Sequence, residues 1–365
     1  MKVFQYIIFF QVFCLVSSWT PIGSVYNLKS VSRVRIADKD YVVWKSKETG
    51  KFTVQDDVCP HRMAPLSEGR VEGNAIQCGY HGWEFDSRGN CQKVPQRDKQ
   101  SQFACRLETF QTKVTGDILW AYIQENLPAH MTYHNATEIL LSDKILQEAD
   151  VPFIREVPYS WNFLMENFFD PAHIPFAHHG LQSVREDATP IPVQLLEMSE
   201  SKLTFFFQDV TRGRDRDAKM EFFAPFHYKL RERNENEWIA SLTLLCIPVE
   251  EGKSRVFLCD KVQQNDWTEE EKVMERVKNH HYSNQFFNTD DYIVHKQEIN
   301  RSKYGNRYKM PTTSDYAVKM FQKWVQKYYE KWMYANQKEI SREAALDNFE
   351  HHIKYCKDCQ QSKPL

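Results

Sequence analysis

The stretch CPHRMAPLSEGRVEGNAIQCGYHGW, residues 59–83, decides how the rest of this sequence is interpreted. It contains a C-x-H pair, Cys59 and His61, followed after sixteen residues by a C-x-x-H pair, Cys78 and His81. Each pair places one thiolate and one imidazole close together in the chain. Four such donors in two short loops predict a metal centre.

Two kinds of centre use two cysteines and two histidines. A Rieske-type [2Fe–2S] cluster binds one iron through both cysteines and the other through both histidines. Tetrahedral zinc accepts the same donors, but its paired ligands typically have roughly two to four residues between them, more than the single residue of a C-x-H pair. Gly79 and Gly82 flank the second pair, as expected where the backbone must approach a sulfide closely. The spacing therefore favours the cluster.

Proteins with such clusters divide into respiratory electron carriers and oxygenases. The carriers have an additional cysteine in each cluster loop, and these two cysteines form a disulfide. Here the neighbours of the ligands are Arg62, Met63, Gly79 and Trp83, so that disulfide cannot form. The sequence favours the oxygenase class.

A second group of polar residues lies in ENFFDPAHIPFAHHG, residues 166–180. Two histidines and one carboxylate on one face of an iron leave open positions for dioxygen and substrate. We predict His173 and His178 as the imidazole ligands, and Asn167 and Asp170 as catalytic residues. Asp170 lies one helical turn before His173, where its carboxylate would bond the second ring nitrogen. Such residues also occur as ordinary polar side chains, but an upstream cluster needs an electron acceptor.

The third iron ligand must be a distant carboxylate, and NQFFNTDDYIVHKQE, residues 284–298, offers two. We predict Asp291 as the ligand and keep Asp290 as the alternative. His179 is predicted to be a neighbour of the site, because the ligand spacing falls on His178.

Local patterns predict an α+β protein. Short apolar and β-branched runs separated by turns indicate a small all-β domain, residues 19–124, with Gly50 and Gly89 at positive φ. A polar, Pro-containing linker at 125–138 opens the catalytic domain, residues 125–365. There we expect a helix broken near Pro171, successive antiparallel strands, and helices that begin at Thr268 and near Ser314.

Composition excludes several other classes of protein. Hydrophobic residues make up 42% of the 365 residues and aromatic residues 14%. This content is too apolar for a disordered chain. The net charge of −2 gives no electrostatic footprint for nucleic acid. Neither GxGxxG nor GxxxxGK[ST] occurs, so a redox enzyme of this sequence must receive its electrons from another protein.

Residues 1–18 form an apolar N-terminal segment. Lys2 precedes the apolar residues 3–16, and Ser17 and Ser18 follow. This order fits a signal or targeting segment or an anchor, and the stretch is short for a transmembrane helix. The alternative is a hydrophobic segment packed on the first domain.

The motifs resemble the pheophorbide a oxygenase and chlorophyllide a oxygenase group of Rieske non-heme iron oxygenases. The matching stretches are WTPIG, CPHRMAPLSEGR, QCGYHGWEFDSRGNC, VPQ, ENFFDPAHIPFAHHG, KMPTTSD and HHIKYCKDC. The resemblance implies a helix-grip (START-like) second domain with a mononuclear Fe(II), a head-to-tail homotrimer and electrons from ferredoxin. It also implies a chlorophyll-type tetrapyrrole as substrate and a plastid location at the envelope or thylakoid. In this family the residue that matches Asp170 also reaches a cluster histidine of the adjacent subunit, which here would be His81.

Two alternative functions remain beside this one. The group also contains a Rieske component of the plastid inner-envelope translocon, which suggests an electron-transfer or redox-sensing role. Another apolar substrate, such as a sterol, is a further interpretation.

Plant members have a transit peptide and a hydrophobic C-terminal anchor; neither pattern stands in these 365 residues, so we expect a soluble or fragmentary member, or membrane contact through residues 3–16.

The closing C-x-x-C, Cys356 and Cys359, lies in HHIKYCKDC. It predicts a reversible redox dithiol with thioredoxin as a partner. Two interpretations remain beside it: part of a zinc site together with His352, or two inert thiols.

Overall fold

The computed structural model describes residues 16–97, 105–125, 143–259, 267–328 and 338–362. The predicted targeting or anchor segment lies outside these residues up to position 15, and the predicted linker lies outside them from position 126. In the parts of the chain that the structure covers, no helix is both long and apolar enough to cross a membrane.

The described residues up to position 125, about the first third of the chain, form two antiparallel sheets. The larger has the strand order β1-β10-β9-β4-β3-β2, and the smaller, β5-β6-β7-β8, is inserted between β4 and β9. The strands are β1 Val16–Ser24, β2 Val31–Ile36, β3 Lys39–Lys45, β4 Phe52–Asp56, β5 Arg70–Glu72, β6 Ala75–Gln77, β7 Glu84–Asp86, β8 Cys91–Lys93, β9 Thr109–Thr115 and β10 Ile118–Glu125.

Strand β3 lies between two hydrophobic cores, which explains why its sequence is apolar without alternation. Successive side chains of a strand point to opposite faces. Tyr41 and Val43 enter the large core of the molecule, whereas Val42 and Trp44 enter a small core that also contains Cys59 and Cys78. Both faces are covered, so both must be apolar.

The remainder of the chain contains a seven-stranded antiparallel sheet with the order β11-β17-β16-β15-β14-β13-β12. The strands are β11 Phe153–Val157, β12 Val193–Met198, β13 Lys202–Thr211, β14 Arg214–Phe223, β15 His227–Asn234, β16 Glu237–Glu250 and β17 Lys253–Leu258. The predicted successive antiparallel strands are confirmed. One apolar run, residues 219–233, is divided between β14 and β15 by a turn at Ala224–Pro225.

Helices lie before, between and after these strands in the chain. They are α1 Lys144–Glu148, α2 Trp161–Phe168, α3 Ile174–Ala177, α4 Glu269–Tyr304, α5 Tyr316–Tyr328, α6 Arg342–Ala345, α7 Asn348–His351 and α8 Lys357–Gln361, with short 3₁₀ helices at Leu66–Glu68, Pro171–His173, Arg185–Asp187 and Ile353–Tyr355. Helix α4 opens as predicted: the Thr268 hydroxyl accepts from the Glu271 amide, and the Glu271 carboxylate accepts from the Thr268 amide. This reciprocal pair of bonds is a capping box.

The predicted α+β fold is confirmed. The six-stranded and seven-stranded sheets share one continuous core, and the β2–β3 turn bonds to the end of β16, with the Ala37 amide 3.0 Å from the Pro248 carbonyl oxygen. The division of the chain at residue 124 stays a prediction, because residues 126–142 lie outside the described ranges.

Candidate active site

Two tight loops present the four predicted cluster ligands. The first loop follows β4, and its backbone closes through a bond from the Cys59 amide to the Ala64 carbonyl at 2.8 Å. The second loop joins β6 to β7, and the Cys78 amide donates to the Trp83 carbonyl at 2.8 Å. Each loop therefore holds its cysteine and histidine in a fixed relation.

Glycine is required where these loops meet. A Cβ atom on Gly79 would lie 2.6 Å from the carbonyl oxygen of Glu68, which belongs to the 3₁₀ helix after the first loop. Gly82 has a φ of +73°, a conformation that costs other residues energy. The sequence pattern predicts both glycines as places where the backbone approaches sulfide. At Gly79 the structure shows a different reason for glycine: the two loops contact each other there, and a side chain would not fit.

The structure brings all four predicted ligands together. Cys59 and Cys78 are buried, at 1% and 2% exposure, whereas His61 and His81 lie nearer the surface. The two imidazole rings are 4.5 Å apart, and the Trp83 ring stacks on His61 at 4.4 Å. The sulfur side of the site is thus apolar and the histidine side faces solvent.

These residues fit an iron–sulfur cluster. His61 Nδ1 is buried and has no hydrogen-bond partner among the described residues, so its lone pair is available to a metal. Burial, together with contact with Cys78, raises the pKa of the Cys59 thiol to about 11. Two buried thiols side by side become thiolates only beside cations, which the two irons of a cluster would supply.

His81→Ala is predicted to abolish the rhombic EPR signal of a reduced Rieske centre, because it removes one ligand of the histidine-bound iron. The signal is measured after dithionite reduction, together with acid-labile sulfide. His281→Ala, at an exposed position of α4, is the control and should keep the signal. A parental signal in His81→Ala would remove His81 from the ligand set.

A second candidate metal site lies where the broken helix meets α4. His173 Nε2 is 3.2 Å from His178 Nε2, and Asp290 Oδ2 is 3.2 Å from His178 Nε2 and 3.8 Å from His173 Nε2. Ligands at about 2.1 Å from one metal and at right angles to each other stand about 3 Å apart. The three atoms thus define one face of a coordination sphere, the arrangement expected of a facial triad.

Hydrogen bonds from the other ring nitrogens orient both imidazoles. The Thr289 hydroxyl donates to the Phe286 carbonyl at 2.7 Å, so it accepts from His178 Nδ1 at 2.8 Å. His173 Nδ1 lies 2.5 Å from the carbonyl oxygen of Asp170. With protons on Nδ1, each Nε2 presents a lone pair to the metal position.

Asp290 is held ionised for this position. Burial acts to raise the pKa of Asp290, but the positive charge that either histidine carries when protonated, and the proton that His178 then donates, outweigh burial, so this pKa lies below its ordinary value. Asn167 Nδ2 donates to Asp290 Oδ2 at 3.0 Å. Asn167, predicted as a catalytic residue, therefore contacts the carboxylate and orients it.

The preference for Asp291 as the third ligand is wrong. Asp291 points from α4 in a different direction, where its Oδ2 forms a buried ion pair with Arg155 at 2.7 Å. Adjacent residues of a helix point about 100° apart. Only Asp290, the alternative, faces the histidines.

The predicted contact between the Asp170 carboxylate and the ring of His173 is also wrong. Asp170 Oδ2 is 3.9 Å from His173 Nδ1, which bonds the backbone carbonyl instead. Asp170 Oδ1 accepts from the Ala172 amide at 2.9 Å and so caps the short 3₁₀ helix. Its side chain is 38% exposed, and burial of the remainder raises the pKa of Asp170. His179 stands apart, with its Nδ1 accepting from the Arg185 amide.

Comparisons with known proteins agree with both halves of the molecule. Residues 18–111 match the family model of the Rieske [2Fe–2S] domain, and residues 222–307 match that of pheophorbide a oxygenase. The chloroplastic pheophorbide a oxygenase of Oryza sativa subsp. japonica is 29% identical, over 94% of this chain and 72% of that protein. Flavonoid 8-hydroxylase 2 of Ocimum basilicum, also chloroplastic, is 28% identical over the same shares. The crystal structure of dicamba monooxygenase bound to dicamba has a TM-score of 0.66 and 17% identity, and the match covers 87% of this chain and 96% of that one.

The fold, the two ligand sets and these matches define a Rieske-type non-heme iron oxygenase, an oxidoreductase whose cofactors are a [2Fe–2S] cluster and a mononuclear iron. Within that class, the chain is similar to the pheophorbide a oxygenases, both in residues 222–307 and over most of its length.

Proposed function

We propose that this protein is a monooxygenase that uses dioxygen and electrons from ferredoxin to oxygenate a chlorophyll-type tetrapyrrole. Cys59, His61, Cys78 and His81 would hold the cluster. The mononuclear iron would be held by His173, His178 and Asp290, named together here as the iron triad. When bound, the iron supplies dioxygen activation, with electrons delivered through the cluster.

The observation that carries this proposal is the position of the iron triad at a cavity. A cavity of about 960 Å³ is lined by His173 and Asp290 and by one face of α4. That volume stands near the upper end of ligand pockets, which run from about 300 to about 1,000 Å³. An electron carrier or redox sensor needs neither an iron triad nor a cavity beside it, so these two features favour an oxygenase.

The lining suits a flat aromatic substrate with an acidic group. Its walls include Tyr292, Ile293 and Tyr304, which would contact a ring system. Arg307 and Arg342 also line it and lie over tyrosine rings, 5.8 Å and 5.5 Å from the ring centroids. In the part of the chain that the structure describes, neither guanidinium forms an ion pair with a carboxylate. Each would supply a guanidinium to a substrate carboxylate.

The protein's own groups would bind the substrate and orient the ligands. Thr289 and the Asp170 carbonyl hold the two imidazoles, and Asn167 holds Asp290. The two relatives named above are called pheophorbide a oxygenase and flavonoid 8-hydroxylase. The tetrapyrrole proposal rests on the former, and the latter makes another apolar aromatic substrate the second candidate.

The test is turnover with a panel of chlorophyll catabolites, flavonoids and sterols, using protein purified anaerobically and reduced by ferredoxin. Each tetrapyrrole is offered as the free acid and as its methyl ester. We expect oxygenation of a tetrapyrrole acid, and Arg342→Gln should raise KM about 10-fold for the acid but not for the ester. Turnover of flavonoids or sterols alone would overturn the tetrapyrrole substrate. A reducible cluster without turnover of any compound would favour the electron-transfer role.

The proposed location of this protein rests on that of its relatives, and the proposed assembly rests on the family resemblance. Several of them are chloroplastic, which supports a plastid location for this chain. We propose a homotrimer in which the cluster of one subunit serves the iron of the next, as the family resemblance implies. Asp170 would then connect the two metals across the subunit interface, with its backbone carbonyl on His173 Nδ1 at 2.5 Å and its partly exposed carboxylate directed to the adjacent subunit.

Asp170→Asn tests that connection. It keeps the shape of the side chain and the oxygen that caps the 3₁₀ helix, but it removes the charge. We expect both metals to stay bound and the cluster to reduce normally. Reoxidation of the cluster by dioxygen in the presence of substrate should slow by about 10–100-fold, measured by stopped-flow absorbance.

The capping role alone predicts a different result. Turnover would then stay near the parental rate and only the melting temperature would fall, since a cap is worth about 1 kcal/mol. Parental reoxidation in a variant whose trimer is intact would exclude a bridging role for Asp170.

A further inference from the structure

A third cluster of metal-ligating side chains lies away from both iron sites, near the C-terminus. It brings His280 of α4 together with His352, Cys356 and Cys359, and we name these four residues the tail cluster. Their donor atoms all lie within 4.8 Å of one another. The sequence pattern connects the two cysteines with His352, whereas His280 lies far earlier in the chain and is joined to them only by the fold.

We propose that the tail cluster is a structural zinc site with Cys₂His₂ ligation. His280 Nδ1 is 3.4 Å from the sulfur of Cys356 and 3.4 Å from that of Cys359, and His352 Nε2 is 3.3 Å from Cys359 Sγ. A tetrahedral zinc with bonds of about 2.0 Å to nitrogen and about 2.3 Å to sulfur separates its ligand atoms by roughly 3.5 Å. The two sulfurs are 2.8 Å apart. They would move apart to about 3.7 Å on binding.

The histidines distinguish zinc from a simple redox dithiol. His352 Nδ1 donates to the Ile154 carbonyl at 2.7 Å. The bare lone pair of its Nε2 therefore points at the sulfurs. His280 presents Nδ1 to both sulfurs. A dithiol that cycles with a disulfide needs no imidazole lone pair aimed at it, whereas a Cys₂His₂ site needs two.

The surroundings are those of a closed structural site. His280, His352 and Cys356 are each at most 3% exposed. The ring of Phe153 packs against both imidazoles, at 4.4 Å from His352 and 5.4 Å from His280. Four converging donors behind an apolar wall leave no open coordination position for catalysis, which is the pattern of a structural zinc.

The site would fasten the C-terminal tail to both halves of the molecule. Next to the cysteines, Asp358 accepts from the Tyr26 hydroxyl at 2.7 Å and forms an ion pair with Arg276 of α4 at 2.8 Å. The Lys357 amide donates to Asn27 at 3.0 Å. Tyr26 and Asn27 follow strand β1 of the six-stranded sheet. Zinc would therefore fix the tail, the sheet that presents the cluster loops, and the helix that carries Asp290.

The experiment compares zinc, iron and sulfide per chain in two variants of neighbouring histidines. His280→Gln removes a proposed ligand, whereas His281→Gln changes an exposed residue that contacts Gln285. We expect about one zinc per parental chain beside the iron, at least about a 10-fold loss of zinc in His280→Gln, and no loss in His281→Gln. Iron and sulfide should stay parental in both variants, which separates this result from any failure at the iron sites.

Two further measurements keep the proposal testable if His280→Gln does not fold. His280→Cys offers zinc another good ligand and should retain the metal. X-ray absorption at the zinc edge of the parental protein should show two sulfur and two nitrogen neighbours, and a chelator should be needed before Cys356 and Cys359 can be alkylated. Parental protein without zinc, a Cys356–Cys359 disulfide in protein isolated from a reducing cytosol, or full zinc in His280→Gln would each overturn the proposal.

Discussion

Asp290→Ala should remove the mononuclear iron and leave the Rieske cluster intact. Asp290 Oδ2 lies 3.2 Å from His178 Nε2, and no other carboxylate among the described residues joins the two histidines. Two neutral imidazoles alone bind ferrous iron weakly, because the carboxylate supplies the negative charge of the site. We expect the iron content to fall from about three to about two per chain, with sulfide unchanged at about two.

Turnover should fall below detection in this variant, whereas the EPR signal of the reduced cluster should keep its parental shape. Asp290→Glu is the matched control, since it retains the charge and should retain part of the iron. Full iron in Asp290→Ala would show that another group is the third ligand, and the facial arrangement would then need a different carboxylate.

The cluster site was predictable because its ligands are close in sequence. Cys59 and His61 share one loop, and Cys78 and His81 share another, so their spacing already encodes their geometry. The same holds for His173 and His178, which lie one turn of broken helix apart. The succession of antiparallel strands and the start of α4 at Thr268 also follow from local patterns of apolar and capping residues.

The third ligand could not be chosen in this way. Asp290 and Asp291 both lie on the buried stripe of α4, at 4% and 0% exposure. Helical periodicity therefore assigns both to the interior and cannot say which neighbour each one meets. That choice depends on strand β11, which brings Arg155 to one side of the helix and is distant in sequence from both residues.

The roles of His280 and Thr289 also depend on packing between distant segments, so the sequence analysis did not find them. A signal was nonetheless present in the sequence of α4, whose buried positions include Arg276, His280, Asn284, Asp290 and Asp291. Polar and charged residues at helical spacing, where apolar residues are normal, indicate that a helix faces binding sites or buried ion pairs. The pattern marks the face but not the partner of each residue.

Asp291→Ala should destabilise the protein without removing either metal. Arg155 and Asp291 are both fully buried, and all five N–H groups of Arg155 donate hydrogen bonds. The acceptors are Asp291, twice, and the side-chain oxygens of Asn284, Asn288 and Asn348. Loss of Asp291 leaves a guanidinium without its counter-charge in the interior, which costs about 3–5 kcal/mol of the free energy of unfolding. It also leaves the Tyr159 hydroxyl, 3.0 Å from Asp291 Oδ1, without an acceptor.

The free energy of unfolding is measured by chemical denaturation with fluorescence as the signal. Iron and sulfide are measured in the folded fraction. Replacement of both partners, Arg155→Met with Asp291→Leu, should cost less than the sum of the two single variants, by about 1–3 kcal/mol, because no unpaired buried charge then remains. Substitutions at these adjacent positions of one helix should thus have different effects. Asp290→Ala should lose metal, and Asp291→Ala should lose stability. Loss of iron at parental stability in Asp291→Ala would reverse that assignment, because it would mean that α4 presents its other side to the histidines.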